Sequence, residues 1–386
     1  MRYARLDLVR GISALIVAAE HLRNATMVDF QGASRSPAWI KGFYFMTGLG
    51  HQAVVVFFVL SGFFVGGAAL KAGPKFQWTG YLTSRLSRLW TVLIPCLLLT
   101  YAADGIVWAT APGVLDGTFA ERWHSAPLSG AYDASLATAL GNLLFLQTIV
   151  VPVFGSNGPL WSLANEFWYY ILFPLMAVAA ARIGEHPTVT RRIACALIAV
   201  MVLLFVPFSM LPGYVVWLFG VTVFAARRSL GAFAARNFYA AATAAFGLFA
   251  VLLAFSRMRV IPGVDWGVPD LLLGIAFAAV CAVLVSRPER SAESRIDRIS
   301  DGLAQFSYTL YLSHFPLVML IGAEFYRNGR MPANGSSILV FSCWLVLLVG
   351  FGWVVWWLFE RNTPVVRRYI ELLIAHVSAA WRRSGV

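Results

Sequence analysis

Long apolar segments recur from one end of this sequence to the other, and they constrain its fold more than any other feature. Many of them approach the ~20 residues that an α-helix needs to cross ~30 Å of hydrocarbon. Charged residues make up only 12% of the 386 residues, whereas soluble domains carry about 25%. A transmembrane β-barrel would instead show ~10-residue alternating segments, and these do not dominate here. The sequence therefore predicts an all-α, polytopic integral membrane protein.

About ten transmembrane helices are predicted, together with one short segment of a different kind. The spans fall near residues 8–27, 48–70, 86–107, 159–182, 191–210, 212–226, 237–256, 269–286, 303–325 and 337–359. The apolar segment LGNLLFLQTIVVPVF, residues 140–154, is too short to be counted as a crossing. We expect it to be re-entrant or interfacial and to pack against protein on the outer side.

The basic residues orient these spans. With the N-terminus in the cytoplasm, 22 of the 30 Lys and Arg residues lie in inner segments and eight in outer ones. This positive-inside bias predicts that both termini are cytoplasmic. A full crossing by residues 140–154 would reverse every later loop and remove the asymmetry. The longest segment outside the membrane, about 105–159, is predicted to be an outer lid or acceptor-binding cover.

The net charge and the cysteine spacing argue against nucleic-acid binding, disulfides and metal sites. The net charge of +12 is explained by inner loops that face anionic lipid headgroups, so the expected surrounding is a lipid bilayer and not nucleic acid. The four cysteines are far apart in apolar segments and form no C-x-x-C or Cys/His pattern. Neither a structural disulfide nor a metal site is therefore expected.

The stretch LDLVRGISALIVAAEH, residues 6–21, contains most of the first predicted span and carries four ionisable residues: Asp7, Arg10, Glu20 and His21. Arg10 and His21 are eleven residues apart, which places them on one helix face, ~16 Å apart along the axis. Ionisable side chains at membrane depth are costly and usually face a cavity or a pathway. In the alternative interpretation, Asp7 and Arg10 extend to the headgroups and His21 lies near the outer rim.

Five motifs, in order along the chain, resemble those of the acyltransferase-3 family, which comprises membrane O-acyltransferases that modify bacterial surface carbohydrates. They are Arg10 and His21 in the first span, VVFFVLSGFFV (55–65), the R-x-x-R pair Arg85 and Arg88, the W-S-L-x-x-E motif formed by Trp161, Ser162, Leu163 and Glu166, and YTLYLSHFP (308–316). The resemblance covers residues 1–365. It implies an acyltransferase-3-like transmembrane domain there, followed by a basic cytoplasmic C-terminal tail at 366–386.

The R-x-x-R pair is the candidate site for the acyl donor. Arg85 and Arg88 are three residues apart and so share one helix face, and guanidinium groups form charge-assisted bonds to phosphate oxygens. The resemblance implies binding of the phosphates of cytoplasmic acyl-CoA, with acetyl-CoA as the expected donor. The alternative is ordinary anchoring of basic side chains at the inner surface.

His21, Glu166 and Arg10 are the catalytic candidates. Imidazole has a pKa of ~6.5, which suits His21 to act as general base on an acceptor hydroxyl, and an acyl-histidine relay is the alternative. Glu166 is predicted to point into the cavity and to orient either His21 or the acceptor. Arg10 is predicted to stabilise the oxyanion or to line the path of the carrier.

Four further residues are candidates for substrate binding: Trp161, Ser162, Tyr311 and His314. Each has a structural alternative. Trp161 suits an interfacial aromatic belt, and with Ser162 it could form the start and cap of a helix. Tyr311 suits packing between helices, and His314 could be a core histidine bonded to a neighbouring helix.

The function implied by these motifs is transfer of an acyl group, with acetyl expected, from cytoplasmic acyl-CoA to a hydroxyl of an extracytoplasmic carbohydrate. The expected acceptor is a surface polysaccharide or a lipid-linked saccharide, and the expected location is the bacterial inner membrane. The alternative is a transporter or flippase of a lipid-linked saccharide, since transporters also place polar groups at membrane depth. The absence of an internal inverted repeat argues against that alternative.

Overall fold

A computed structural model describes residues 3–33, 35–119, 123, 126–257, 267–287 and 295–383, without the side chains of 295–299 and 378–383. These residues contain no β-strand, and most of them are helical. The helices are α1 (Ala4–Thr26), α2 (Phe30–Ala33), α3 (Ala38–Met46), α4 (Gly50–Ser61), α5 (Gly67–Ala72), α6 (Trp78–Thr110), α7 (Leu136–Leu143), α8 (Leu160–Ala179), α9 (Val189–Phe205), α10 (Leu211–Arg236), α11 (Phe238–Arg257), α12 (Val268–Ser286), α13 (Arg295–Tyr326), α14 (Gly335–Leu358) and α15 (Thr363–Arg383). A π-helical turn, Gly62–Gly66, joins α4 to α5.

Each of the ten predicted spans overlaps a helix. Seven segments are long and apolar enough to cross a membrane: Ala38–Lys75, Trp78–Thr110, Phe208–Arg236, Phe238–Arg257, Val268–Ser286, Ser300–Tyr326 and Gly335–Val377. Helices α1, α8 and α9 fall outside this set; α1 carries five charged residues, and α9 is only 17 residues long. The all-α fold with several membrane-spanning helices is confirmed, and the count of ten crossings stays a prediction.

Helices α1 and α13 form the central pair of the bundle, and they run parallel. The Arg10 guanidinium donates to the carbonyl of Ala304 over 3.2 Å, and the imidazole of His21 lies 2.8 Å from that of His314. Ten or eleven residues therefore separate the two contacts on each helix. We call the end of the bundle where α1 begins the lower end and the end where it finishes the upper end.

Helices α1, α4 and α6, which follow one another along the chain, alternate in direction. Helix α6 follows α13 upward, because the hydroxyl of Tyr308 donates to the carbonyl of Leu89 and Thr110 donates to Glu324 near the tops of the two helices. Helix α4 runs downward, because its first residue, Gly50, packs near the end of α1. This alternation is what consecutive crossings require.

Glycines bring α4 and α10 into backbone contact. A Cβ atom on Gly62 would lie 1.8 Å from the carbonyl oxygen of Trp217, and one on Gly220 would lie 1.8 Å from that of Val59. Small residues allow such close approach between membrane helices. The indole of Trp217 also donates to the hydroxyl of Ser61 over 3.0 Å. The VVFFVLSGFFV motif (55–65) thus packs against α10 at Gly62 and Ser61.

Residues 133–155 enter the bundle from the upper end and leave at the same end. The amide of Gly155 donates to the carbonyl of Asp133 over 2.8 Å and closes the base of this segment. Within it, the carbonyl of Leu143 accepts from the indole of Trp90, 2.9 Å away. Trp90 lies fourteen residues, or ~21 Å, below Asp104 on α6, and Asp104 binds Ser156 at the base. Residues 140–154 thus lie in a segment that enters and leaves at one end of the bundle, and their re-entrant or interfacial place in the membrane stays a prediction.

The basic segment predicted as a C-terminal tail forms helix α15, which packs against α6. Its apolar residues, such as Tyr369 and Leu373, are exposed. All four cysteines are free, and the described residues contain no cluster of His, Cys, Asp and Glu side chains that could hold a metal ion.

Candidate active site

A cavity of about 130 Å³ lies between α1, α4, α6, α8 and α13. Six of the nine predicted site residues line it: Arg10, Arg85, Arg88, Ser162, Glu166 and Tyr311. Most of its other walls are leucine, valine and phenylalanine side chains. The cavity is smaller than the ~300–1,000 Å³ of typical cofactor pockets, so it suits the narrow part of a ligand and not a whole carrier molecule.

Arg10 is fixed in position on two sides. Its Nη2 lies 3.1 Å from a carboxylate oxygen of Asp7 and donates to the carbonyl of Ala304. The guanidinium also lies over the ring of Phe64, with 5.6 Å to the ring centroid. Its buried Nε has no hydrogen-bond partner among the described residues. Arg10 therefore faces the interior of the bundle, as predicted, and not lipid.

Arg85 and Arg88 face the same cavity, as their spacing predicts. The Nε of Arg88 lies 3.7 Å from a carboxylate oxygen of Glu360, whose side chain is only 7% exposed, and the hydroxyl of Thr309 donates to the other oxygen of that carboxylate. Arg85 lies over the ring of Tyr81, and its buried Nε has no hydrogen-bond partner among the described residues. Buried polar groups are usually paired, so Arg85 is available to an anion.

Glu166 points into the cavity from the second turn of α8. It faces the three arginines, and Tyr170 one turn later lies within hydrogen-bonding reach of it. Arg10 and Arg88 are paired with Asp7 and Glu360, so Arg85 and Glu166 are the charged lining residues for which no ion pair is found among the described residues. Glu166 does not orient His21, because the hydrogen-bond partner of His21 is His314.

The capping interpretation of Trp161 and Ser162 is wrong. Helix α8 begins at Leu160, with Pro159 at the N-cap position and no side-chain cap. The hydroxyl of Ser162 instead donates to the carbonyl of Pro159 over 3.1 Å. Trp161 does not line the cavity; it packs edge-on against Phe58 at 6.4 Å between ring centroids. Its role in substrate binding stays a prediction.

Ser162 and Tyr311 close the upper end of the cavity. Their hydroxyl oxygens lie 2.8 Å apart, and Tyr311 is buried. The ring of Tyr311 lies 6.1 Å from that of His314, three residues further along α13. This hydroxyl pair therefore stands between the arginine-lined cavity and the two histidines.

His314, which is buried, and His21, which is partly buried, form a pair above the cavity. Nδ1 of His21 lies 2.8 Å from Nε2 of His314, and the two rings are within 11° of parallel. Nδ1 of His314 lies 2.9 Å from the carbonyl of Leu310. The prediction of a histidine bonded to a neighbouring helix is met, with His21 of α1 as the partner.

This chain of hydrogen bonds assigns the tautomers of the two neutral rings. A carbonyl can only accept, so Nδ1 of His314 carries its proton and Nε2 is the acceptor. Nδ1 of His21 must then donate to His314. The lone pair of His21 is therefore on Nε2, the atom free for chemistry.

The predicted outer cover packs over the upper part of α13. The Asn157 side chain donates to the carbonyl of Leu312 over 3.1 Å and to the hydroxyl of Thr100. Trp123 packs against Gly322, where an added Cβ would lie 2.3 Å from the indole. Within this cover, residues 120–122, 124 and 125 lie outside the described residues. The cover thus contacts α6 at Thr100 and contacts α13 on both sides of His314, at Leu312 and Gly322.

Sequence reasoning missed Glu360 and Thr309. Glu360 follows the last predicted span directly, and the one available signal was an acidic residue where positive charge predominates. Thr309 lies inside the late-helix motif without a distinguishing feature. The sequence does not connect either residue to Arg88, because Arg88 lies 272 residues from Glu360.

Together these features define a polytopic helical membrane protein with a histidine pair above a guanidinium-lined cavity. Residues 3–357 match the acyltransferase domain family, and the chain belongs to that family. The resemblance to the acyltransferase-3 family is thereby confirmed.

An O-acetyl transferase of Shigella phage Sf6 is 26% identical over 188 residues, which are 46% of this chain and 47% of that protein. The chain thus matches about half the length of this curated relative. No solved structure matches the chain.

Proposed function

We propose that this protein is a membrane O-acyltransferase that moves an acyl group, with acetyl expected, from cytoplasmic acyl-CoA to a hydroxyl of an extracytoplasmic carbohydrate. The acceptor is a surface polysaccharide or a lipid-linked saccharide, and the location is the bacterial inner membrane with both termini cytoplasmic. The hydrogen-bond chain His21–His314–Leu310 carries this proposal, because it leaves Nε2 of His21 as an unprotonated base. Family membership and the name of the phage relative support acyl transfer.

The donor occupies the arginine-lined cavity from the lower end. Arg85 has an unpaired, buried guanidinium nitrogen, and Arg88 lies over Tyr308 with 5.9 Å to the ring centroid. Both suit the phosphates of acyl-CoA. His314 lies six residues above Tyr308, or ~9 Å along α13. The flexible arm of the carrier bridges that gap and brings the thioester past Tyr311 to His21.

The acceptor hydroxyl then attacks the thioester. Nε2 of His21 takes the proton of the acceptor hydroxyl while the oxygen attacks the thioester carbonyl carbon. The carbon–sulfur bond breaks, the new ester remains on the acceptor, and the proton passes from His21 to the leaving thiolate. His314 holds the Nδ1–H of His21 throughout and stabilises the imidazolium. Arg10 lies ~16 Å lower on α1, which suits the path of the carrier better than the oxyanion.

An acyl-histidine relay uses the same lone pair in a different order. Nε2 of His21 would attack the thioester itself, release the thiolate, and pass the acyl group to the acceptor. Mass spectrometry of protein quenched during turnover separates the two mechanisms. An acyl adduct on the His21 peptide supports the relay, and its absence with ongoing transfer supports direct attack.

Transfer of a labelled acyl group tests the proposal. The full-length protein in membrane vesicles receives labelled acetyl-CoA and the surface polysaccharide of its host or the lipid-linked precursor. We expect His21→Ala to lose about 10²–10⁴-fold in rate, the usual contribution of a general base. His376→Ala is the matched control, since His376 is exposed on α15. Wild-type activity in His21→Ala would refute the role of His21.

The transporter alternative predicts a different phenotype. If the chain is a flippase of a lipid-linked saccharide, a host lacking it fails to export the polysaccharide. If it is an acyltransferase, export continues and the exported glycan lacks acyl groups. Mass spectrometry of surface glycans from a host with and without the protein distinguishes the two functions.

A further inference from the structure

A second cavity, which the acyl-transfer site does not use, lies on the opposite side of α1. It is a groove of about 370 Å³ between α1, α4, α11 and α12. Ile12 and Ile16 of α1 line it, and they point away from the face that carries Arg10 and His21. Its walls are almost entirely apolar, with Phe249 of α11 and Val280 of α12 among them.

The groove is open towards the membrane between α1 and α11. Ile12 is 43% exposed and Phe246 is 46% exposed, and both line the groove from opposite sides. Helix α11 lies at the edge of the bundle, because only Ala245 and Ser256 among its residues are buried. A hydrocarbon chain can therefore enter sideways from the bilayer without displacing a packed helix.

Unpaired polar atoms mark the upper end of this apolar groove. Gln52 is only 4% exposed and lines the groove. Its side-chain nitrogen donates to Ser256 over 3.1 Å, while its buried Oε1 has no partner among the described residues. Arg257 follows Ser256 in α11, and its guanidinium lies against Gly48, the neighbour of the lining residue Leu49. Its buried Nε is also unpaired among the described residues. An amide oxygen needs a donor, and a guanidinium needs an anion.

The groove runs lengthwise along α1, from Arg5 to Ile16, eleven residues or ~16 Å. It is therefore long enough to hold most of an extended acyl chain. At the lower end, Arg5 already donates to the carbonyl of Leu284 over 3.1 Å, so the end with unmet polar groups is the upper one.

We propose that this groove binds one acyl chain of an anionic phospholipid with a hydroxyl-bearing headgroup, such as phosphatidylglycerol. The headgroup lies at the upper end, where a hydroxyl donates to Oε1 of Gln52 and the phosphate faces Arg257. The chain runs down the groove towards Arg5. The site does not depend on the proposed acyl transfer, and its test measures lipid binding and not catalysis.

Photolabelling tests the site and its orientation. The full-length protein is placed in nanodiscs of phosphatidylcholine that contain phosphatidylglycerol with a diazirine at the end of one acyl chain. We expect the label at the lower end of the groove, on peptides around Arg5 of α1 and Leu284 of α12. Label near Leu49 at the upper end would indicate the opposite orientation and overturn the proposal.

Two variants with a matched control make the result specific. Ser13→Phe fills the groove from α1 and should lower labelling about tenfold, whereas Ile275→Phe adds the same ring on an exposed face of α12 and should not. Gln52→Leu removes the unpaired oxygen at nearly constant volume. It should reduce the preference for phosphatidylglycerol over phosphatidylcholine about tenfold, the size expected for one hydrogen bond in a buried site.

Thermal melting of each variant in the same nanodiscs confirms that it is folded. Labelling spread evenly over all lipid-facing helices and unchanged in Ser13→Phe would show that the groove holds only bulk lipid or water. Equal labelling by both lipids in the wild type would refute the role of Gln52 and Arg257.

Discussion

Replacement of His314 separates a role in positioning His21 from a role in packing. His314→Leu removes the acceptor of the Nδ1–H of His21, which is 2.8 Å away, and leaves that buried donor unpaired. An unpaired buried donor costs about 1–3 kcal/mol, and the tautomer that directs the lone pair to Nε2 is no longer favoured. Since ~1.4 kcal/mol is a factor of ten, we expect kcat to fall about 10–100-fold.

His314→Gln is the control for the hydrogen bond. The side-chain oxygen of glutamine reaches the region of Nε2 of histidine and can accept from His21, so this variant should recover most of the rate lost in His314→Leu. Both variants change the volume of the site, so a role in packing alone would affect them similarly. The decisive measurement is therefore whether His314→Gln recovers the rate that His314→Leu loses.

The assay is transfer of labelled acetyl from acetyl-CoA in membrane vesicles, with kcat and KM determined for each variant. KM for the donor should change little, because the proposed function places the phosphates at Arg85 and Arg88 and not at the histidine pair. Equal rates for His314→Leu and wild type would refute the positioning role. A loss in His314→Leu as large as that in His21→Ala would show that His314 itself reacts.

Three further predictions concern the donor site, the packing of the bundle and the re-entrant segment. Arg85→Gln should raise KM for acetyl-CoA about 10–100-fold with little change in kcat, since a charged hydrogen bond contributes ~1.5–3 kcal/mol; Arg182→Gln, at an exposed residue, is the control, and equal KM values would contradict the phosphate role. Gly220→Val should prevent folding, because its Cβ would lie 1.8 Å from a backbone oxygen of Val59, whereas Gly247→Ala has nothing within 4 Å and should melt like the wild type; a folded Gly220→Val protein would show that α4 and α10 are further apart. Hydrogen bonds from Thr138 and Ser135 lower the pKa of Asp133, so its charge stabilises the start of α7 fully above the carboxyl pKa of the unfolded chain, and this contribution is lost as the pH falls through the lower pKa of the folded state. Asp133→Asn should lose that part of the acid dependence of thermal stability, and an unchanged pH profile would contradict it.

The helices were predictable because the signal for each is local. A segment of about twenty apolar residues is enough to predict a membrane-spanning helix and its length, without knowledge of what the helix packs against. The shared face of Arg10 and His21 and that of Arg85 and Arg88 follow from helix periodicity alone. Helix periodicity therefore predicts both pairs without any contact between helices.

The partners of these side chains were not predictable, because they depend on packing between distant parts of the chain. His314 lies 293 residues from His21, and nothing in either motif specifies that their rings meet. Glu360 was overlooked for the same reason. Trp161 belongs to a motif, but nothing in the motif indicates that its ring packs against Phe58 and does not line the cavity.

The hydroxyl pair of Ser162 and Tyr311 has a consequence for the cell as well as for the reaction. In the proposed reaction one reactant comes from the cytoplasm and the other from outside, and an open path between them would leak protons and small ions. The two hydroxyl groups, 2.8 Å apart, stand between the lower cavity and the histidines. We expect Tyr311 to swing aside only when a carrier arm fills the opening behind it, so that the enzyme works without discharging the membrane potential.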